Sequence, residues 1–305
     1  MRTQAHPETT LAESGAEPVG LIGLGLLGGA LAHRLVGAGF RVLGYDSNPD
    51  KAMLVPGIEI ARSPDEICLR CSRIVLAVYD TSQVEAILLE LETTAHPMTV
   101  LCATSVEPRP IAFAAARAAR YGITVLEVPF SGTSAQIEAG KGIGVVAGPS
   151  EAIEAVSDVL DALCPQRFYM GSPGNAAKAQ LAIDLVLQLN RAALAEGLVF
   201  AQRLGLNTEE FLEVLRGSPA ASQVMSVKGK KMVSREYSPQ APVAHTLVAQ
   251  NLKDAQFMIE TAHRLGQNLP LMEVNAALLA AVISQRGNEV DSAAVIEAIL
   301  ASRPK

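Results

Sequence analysis

The stretch "VGLIGLGLLGGALAHRL" constrains the fold more than any other part of the chain. An apolar run too short for a helix ends in Gly23-x-Gly25-x-x-Gly28, and a helical pattern follows at once. A strand must therefore turn sharply into a helix, which is the first half of a βαβ unit. Each glycine has its own reason to be there. Gly23 permits the tight turn, Gly25 lets the backbone approach a ligand closely, and Gly28 lets helix and strand pack together. A helix N-terminus presents free N–H groups, which suit a phosphate. Residues Gly23, Leu24, Gly25, Leu26, Leu27 and Gly28 are the expected cradle for the pyrophosphate of a dinucleotide.

The rest of the N-terminal half agrees with that beginning. The runs "RVLGYD" (41–46), "RIVLAVYD" (73–80), "TVLCATS" (99–105), "ITVLEVP" (123–129) and "GIGVVAG" (142–148) read as strands, with helical segments between most of them. They are rich in Val, Ile and Leu and alternate little, as strands buried on both faces do. After Gly171 the texture changes. Residues 174–204 run almost without a breaker up to Gly205, and Thr208 is the expected N-cap of the next helix. Further helical patterns follow, the last opening on Asp291 as a cap, and no strand signal appears after residue 170. The expected fold is α/β: a Rossmann-type doubly wound parallel sheet followed by an all-helical C-terminal domain. Residues 1–17 form an expected flexible tail, 18–170 the dinucleotide-binding domain, and 171–305 the all-α domain, which begins with a long interdomain helix.

Composition excludes several classes of function. Lys+Arg is 25 and Asp+Glu 31, a net charge of -6, so no basic excess is available for nucleic acid. Aromatics at 4%, with no Trp, give few platforms for base stacking. No apolar run is long enough to cross a membrane. The tail lacks the apolar centre of a secretory signal and the Arg-rich character of a transit peptide. Cys68-x-x-Cys71 reads as two partly buried thiols on a short helix entering a strand, and nothing points to disulfides, so a reducing, cytoplasmic setting is expected. His33, His96, His245 and His263 have no paired spacing, and no metal site is expected. "VKGKKM" (227–232) reads as a solvated helix face or loop, with Lys231 available to an anionic substrate.

The second strand ends at Asp46, 18 residues beyond Gly28. A carboxylate there accepts hydrogen bonds from the adenosine ribose hydroxyls and repels a 2′-phosphate. No Arg follows it within the turn, and no basic residue is expected to pair a 2′-phosphate. NAD is therefore expected in preference to NADP.

Several motifs taken together resemble the β-hydroxyacid dehydrogenases, the group of 3-hydroxyisobutyrate, tartronate-semialdehyde and 6-phosphogluconate type enzymes. "GLIGLGLLG" is similar to that family's opening. "AVYDTSQVEAIL" resembles its loop after the third strand of the nucleotide domain, with Val78-Tyr79 where Leu-Pro is usual. "TSVEP" resembles its Ser-Thr-x-x-Pro turn and implies that Ser105 lies at the cofactor. "EVPFSGTSAQIEAGKGIGVVAG" resembles the segment that holds a substrate carboxylate, here Ser131-Gly132-Thr133. "NLKDAQFMIETAHRLGQNLPL" resembles a C-terminal helix whose Lys-Asp pair packs near the cofactor, here Lys253 and Asp254, and "NEVDSAAVI" resembles the start of the last helix. The resemblance spans roughly residues 18–300.

One expected residue is out of place. In that family the interdomain helix carries a catalytic lysine nine residues after a glycine, an asparagine four residues later, and an Ala-Glu pair beyond. Gly171 and Gly174 at one end and Ala195-Glu196 at the other give one ungapped register, which puts Gln180 at the lysine position and Asp184 at the asparagine position. Lys178 stands two residues early, about 200° away around a helix, and reads as a surface residue. Glutamine does not transfer protons at neutral pH. Asp184, one turn on, is a proton donor if burial raises its pKa, and it would also attract a cationic substrate.

Three readings follow. The first is an NAD(P)-dependent oxidoreductase that moves hydride between the nicotinamide and a small 3-hydroxy acid or semialdehyde, with non-standard proton transfer. The second is an imine or iminium reductase on the same scaffold. Such relatives also replace the lysine, often by Asp or Tyr, but commonly use NADPH. The third is a catalytically impaired dinucleotide-binding homologue. The long helix and the apolar stretches "NAALLAAVI" and "ALAEGLVFA" imply a homodimer or homotetramer.

Overall fold

The structure, a computed structural model, describes residues 17–53, 55–94, 96–238 and 247–302. His245 and the first 16 residues of the expected tail lie outside the described residues. The chain divides into two compact units, residues 1–180 and 181–305.

In the first unit the elements run β1 (Val19–Ile22), α1 (Leu26–Gly37), β2 (Val42–Tyr45), α2 (Pro49–Met53), β3 (Glu59–Ile60), α3 (Pro64–Arg70), β4 (Arg73–Leu76), α4 (Thr81–Leu91), β5 (Met98–Cys102), α5 (Pro108–Ala118) and β6 (Ile123–Glu127). They continue with β7 (Phe130–Ser131), α6 (Ser134–Glu138), β8 (Ile143–Val146), α7 (Ser150–Ala155), α8 (Ser157–Leu163) and β9 (Gln166–Tyr169). Six strands form one sheet in the order β3-β2-β1-β4-β5-β6, every pair parallel. This is the doubly wound sheet that the glycine turn requires.

The weak alternation in the strand sequences has a direct cause. Val19, Leu21, Val75, Leu101 and Leu126 pack into a core on one face of the sheet, with side chains of α1 and α8. Ile22, Ile74, Leu76, Val100 and Val125 pack into a second core on the other face, with α3, α4 and α5. Both faces are apolar because both are covered.

Three strands had no sequence signal. β3 has two exposed residues at the sheet edge, β7 has two residues, and β9 is mostly exposed. The run at 142–148 belongs to a separate sheet, β7-β8-β9, in which β7 and β8 are antiparallel. A short apolar run states that it is buried, not which sheet it joins.

Helix α9 (Asn175–Arg203) contains the division between the units. The second unit continues with α10 (Thr208–Gly217), α11 (Gln223–Ser234), α12 (Val248–Arg264), α13 (Pro270–Arg286) and α14 (Val295–Ala301). Its described residues form helices around a core that includes Leu194, Leu198, Met232, Leu279 and Val295. Gly205, at φ 81, ends α9, and the Leu206 N–H reaches back to the Ala201 carbonyl. The N-cap of α10 is Asn207 rather than Thr208: its Oδ1 accepts from the N–H groups of Glu209 and Glu210. Asp291 caps the last helical segment as expected, accepting from the Ala293 N–H at 2.9 Å.

The "VKGKKM" segment departs from expectation. Lys228 is buried, and Lys228 and Lys231 each place Nζ 2.7 Å from a different oxygen of the fully buried Asp291. Those two charges are spent inside the helical unit, and Lys231 is not a free cation for a substrate.

Candidate active site

The strand order reverses direction between β1 and β4, so the crevice outside their carboxyl ends is where an open α/β sheet takes a ligand. The glycine turn follows β1, Asp46 follows β2, Val78 and Tyr79 follow β4, and Ser105 follows β5. Parallel strands bring all four to the same edge of the sheet.

The glycine turn fits a pyrophosphate. Gly23 lies at φ 95, and a Cβ there would fall 2.3 Å from the Ala77 carbonyl oxygen. A Cβ on Gly28 would fall 1.8 Å from the Gly23 carbonyl oxygen, so α1 can sit on the turn only without one. A Cβ on Gly25 would meet nothing within 4 Å, which leaves that face open to a ligand. Gly25 is the N-cap of α1, with no side-chain cap and no acidic residue in the first turn. The helix end therefore keeps its N–H donors for an anion. Leu24 is buried beneath the turn, whereas Leu26 is exposed and Leu27 half-buried on its rim.

Asp46 is tied to this turn. The Leu24 N–H donates to its Oδ2 and the Asn48 N–H to its Oδ1, both at 2.8 Å. Its remaining lone pairs can accept from ribose hydroxyls. The sequence reading overlooked Lys51, whose Nζ stands 4.0 Å from Asp46 Oδ1. The two lie five positions apart, and α2 folds the lysine back. A cation does stand beside the carboxylate.

Thr104, which the sequence reading passed over, joins the loops after β4 and β5. Its Oγ1 accepts from the Val78 N–H at 3.0 Å, and its hydroxyl reaches the Val78 carbonyl at 3.2 Å. Tyr79 is exposed and its N–H donates to Gln83 Oε1; Ser105 is exposed beside Thr104. Ser131 ends β7, and Gly132 takes φ 141. Thr133 then caps α6 in a reciprocal box with Gln136. The turn is held by its own hydrogen bonds before any ligand arrives.

On α9, Gln180 is buried at 8% exposure. Lys178 is exposed, and its Nζ donates to Asn175 Oδ1 at 3.0 Å. Asp184 is half-buried one turn beyond Gln180. Arg191 follows on the same helix. Burial pulls its guanidinium down to about 10, against the charges of Asp291, Asp184 and Asp254. Lys253 is exposed on α12, and Asp254 accepts from Gln250 Nε2 at 2.7 Å. Among the described residues no group of three His, Cys, Asp or Glu side chains could hold a metal ion. Cys68 and Cys71 are buried, which pushes their thiols up to about 11 and about 12.

Comparison with known proteins agrees along almost the whole chain. Residues 18–171 match a family model described as the NAD binding domain of 6-phosphogluconate dehydrogenase. Residues 174–299 match one described as NAD-binding of NADP-dependent 3-hydroxyisobutyrate dehydrogenase. The chain belongs to the β-hydroxyacid dehydrogenase family. Among its relatives is glyoxylate/succinic semialdehyde reductase 2, chloroplastic, of Arabidopsis thaliana, 23% identical over 99% of this chain and 85% of that protein. The Mycobacterium tuberculosis 3-hydroxyisobutyrate dehydrogenase structure with L-serine is similar with a TM-score of 0.80, at 21% identity, over 93% of this chain and 99% of that one. An imine reductase from Pseudomonas sp. shares the fold at a TM-score of 0.60 and 18% identity, over 93% of this chain and 99% of that one. As a member of the family, the chain is an NAD(P)-dependent dehydrogenase or reductase. No helix among its described residues is long and apolar enough to cross a membrane.

Glu127, at the end of β6, is a further residue that sequence reasoning missed. It is buried at 1% exposure and accepts from the N–H groups of Gly174 and Ala177. A lone acid closing the strand "ITVLE" was the available signal.

Proposed function

We propose that the chain interconverts a small 3-hydroxy acid and its semialdehyde, using NAD in preference to NADP, with the reacting face of α9 carrying Gln180 and Asp184 in place of the family's lysine and asparagine. The observation that carries the reading is the contrast on α9: Gln180 is buried, and Lys178 is exposed and bonded to Asn175. The turn from Gly23 to Gly28, together with Asp46, Val78, Tyr79, Ser105 and Lys253, would hold the dinucleotide. When bound, its nicotinamide supplies or accepts hydride. Ser131, Gly132 and Thr133 would orient the substrate carboxylate. Gln180 donates a hydrogen bond to the substrate oxygen and polarises it, while Asp184 gives or takes the proton. Asp46 supports NAD, and Lys51 beside it keeps the discrimination against NADP modest. The protein works in the cytoplasm as a homodimer or homotetramer.

The second reading, an imine or iminium reductase, rests on a specific feature. A carboxylate at 184 on the reacting face would attract a cationic substrate, where a lysine at 180 would repel one. A screen of hydroxy acids, semialdehydes and cyclic imines, followed by nicotinamide absorbance with both cofactors, separates the two. Turnover of 3-hydroxy acids or semialdehydes supports the first reading and turnover of imines the second. No turnover of any of them leaves the impaired homologue.

A further inference from the structure

Glu127 ends β6 four residues before Ser131, and its carboxylate sits at the start of α9. Oε1 accepts from the Gly174 N–H, and Oε2 accepts from the Ala177 N–H at 2.9 Å. Burial holds the carboxyl above its ordinary range, with the two N–H bonds and the charge of Lys178 acting against that rise. One hydrogen bond would let a helix swivel about it. Two bonds, from N–H groups three residues apart to the two oxygens of one carboxylate, do not. The start of α9 is also pressed on α5: a Cβ on Gly174 would lie 3.0 Å from the Pro108 carbonyl oxygen and 3.1 Å from Ala112 Cβ. With its start held this way, the helix buries Ala176, Ala177 and Gln180 and exposes Lys178.

We propose that Glu127 is a positioning residue: from the end of β6 it fixes the rotation of α9, so that position 180 faces inward and Lys178 outward, and it references that helix to the strand leading into Ser131-Gly132-Thr133. Its importance for turnover rests on the reading that position 180 lies at the reacting face; the rotation itself does not.

The test places single cysteines, Gln180→Cys or Lys178→Cys, in the full chain with Glu127 intact or changed by Glu127→Gln, and measures their rates of reaction with a maleimide. The four native cysteines are buried and serve as controls. With Glu127 intact, the cysteine at 178 reacts much faster than that at 180. Glu127→Gln turns an amide donor toward one N–H and loses a charge-assisted bond, so the ratio should fall about tenfold. Native thiols should stay unreactive. An unchanged ratio overturns the proposal, and so does a parallel rise in native-thiol reactivity, which would mean general loosening. If Glu127→Gln does not fold, Glu127→Asp, whose shorter arm reaches one N–H, gives the same readout. In parallel, Glu127→Gln without added cysteines should lower kcat on the substrate found in the screen while leaving cofactor affinity unchanged. If no substrate is turned over, the functional reading fails while the thiol ratio still decides the role of Glu127.

Discussion

Positions 178 and 180 differ by two residues, and on a helix that is the difference between solvent and interior. Lys178 already has a surface partner in Asn175, so Lys178→Ala should leave turnover within a few-fold. Asp184→Asn should lower turnover about 10²-fold if Asp184 moves the proton, the usual scale for losing a general acid or base. Gln180→Lys should raise turnover of 3-hydroxy acids and lower that of an imine. Steady-state kinetics on the three variants decide the register: a dead Lys178→Ala with a silent Asp184→Asn would make Lys178 the family's lysine. Beside the glycine turn, Lys51 stands 4.0 Å from Asp46 Oδ1, where the proposed cofactor site would bring a 2′-phosphate. Lys51→Ala should weaken NADP(H) binding and leave NAD(H) nearly unchanged, as read by calorimetric titration of each. Equal effects on both cofactors would refute a phosphate contact. The sequence singled out Asp46 but missed this cation, because only the first turn of α2 folds residue 51 back toward residue 46.

The turn between β1 and α1 separates two kinds of glycine that look alike in the motif. Gly28→Ala would drive a Cβ into the Gly23 carbonyl, a backbone atom that cannot move alone. It should cost about 3 kcal/mol, the upper range for overpacking, and show as a lowered Tm without ligand. Gly25 has φ −69 and nothing within 4 Å of an added Cβ, so Gly25→Ala should melt like the parent. The same Cβ would stand where the pyrophosphate approaches, so dinucleotide affinity should fall. A destabilised Gly25→Ala, or one that binds normally, would contradict that division of labour.

In the helical unit, Lys228 and Lys231 converge on one buried carboxylate, Asp291. Burial pushes the Asp291 carboxyl up, but the charge of Lys228 and bonds from Lys228, Lys231 and the Ala293 N–H hold it below its ordinary value. A carboxyl lowered on folding stabilises above its unfolded pKa, and that contribution is lost as pH falls through the folded value. Helical circular dichroism should therefore begin to fall below about pH 4, near the unfolded carboxyl value, and go on falling as pH drops through the lower folded value. Asp291→Asn leaves Lys228 buried without its counter-charge and should cost about 3–5 kcal/mol at neutral pH. A variant as stable as the parent would show that the cluster is dispensable. The same unit exposes Phe200, Val214, Leu271 and Val274, apolar side chains that a homodimer or homotetramer would cover. Light scattering at micromolar concentration should give a multiple of the chain mass; a monomer refutes it. At this scale the sequence by itself determined the doubly wound sheet, the glycine turn and the helical second half. Those are written in local periodicity and in glycines, Gly23 for its φ and Gly28 for the space that a Cβ would take. Only the tertiary structure placed Glu127 on the start of α9, Thr104 between two loops, and Lys228 and Lys231 on Asp291. Each of these joins residues far apart in the chain, and a polar side chain carries no local sign of the partner that burial will give it.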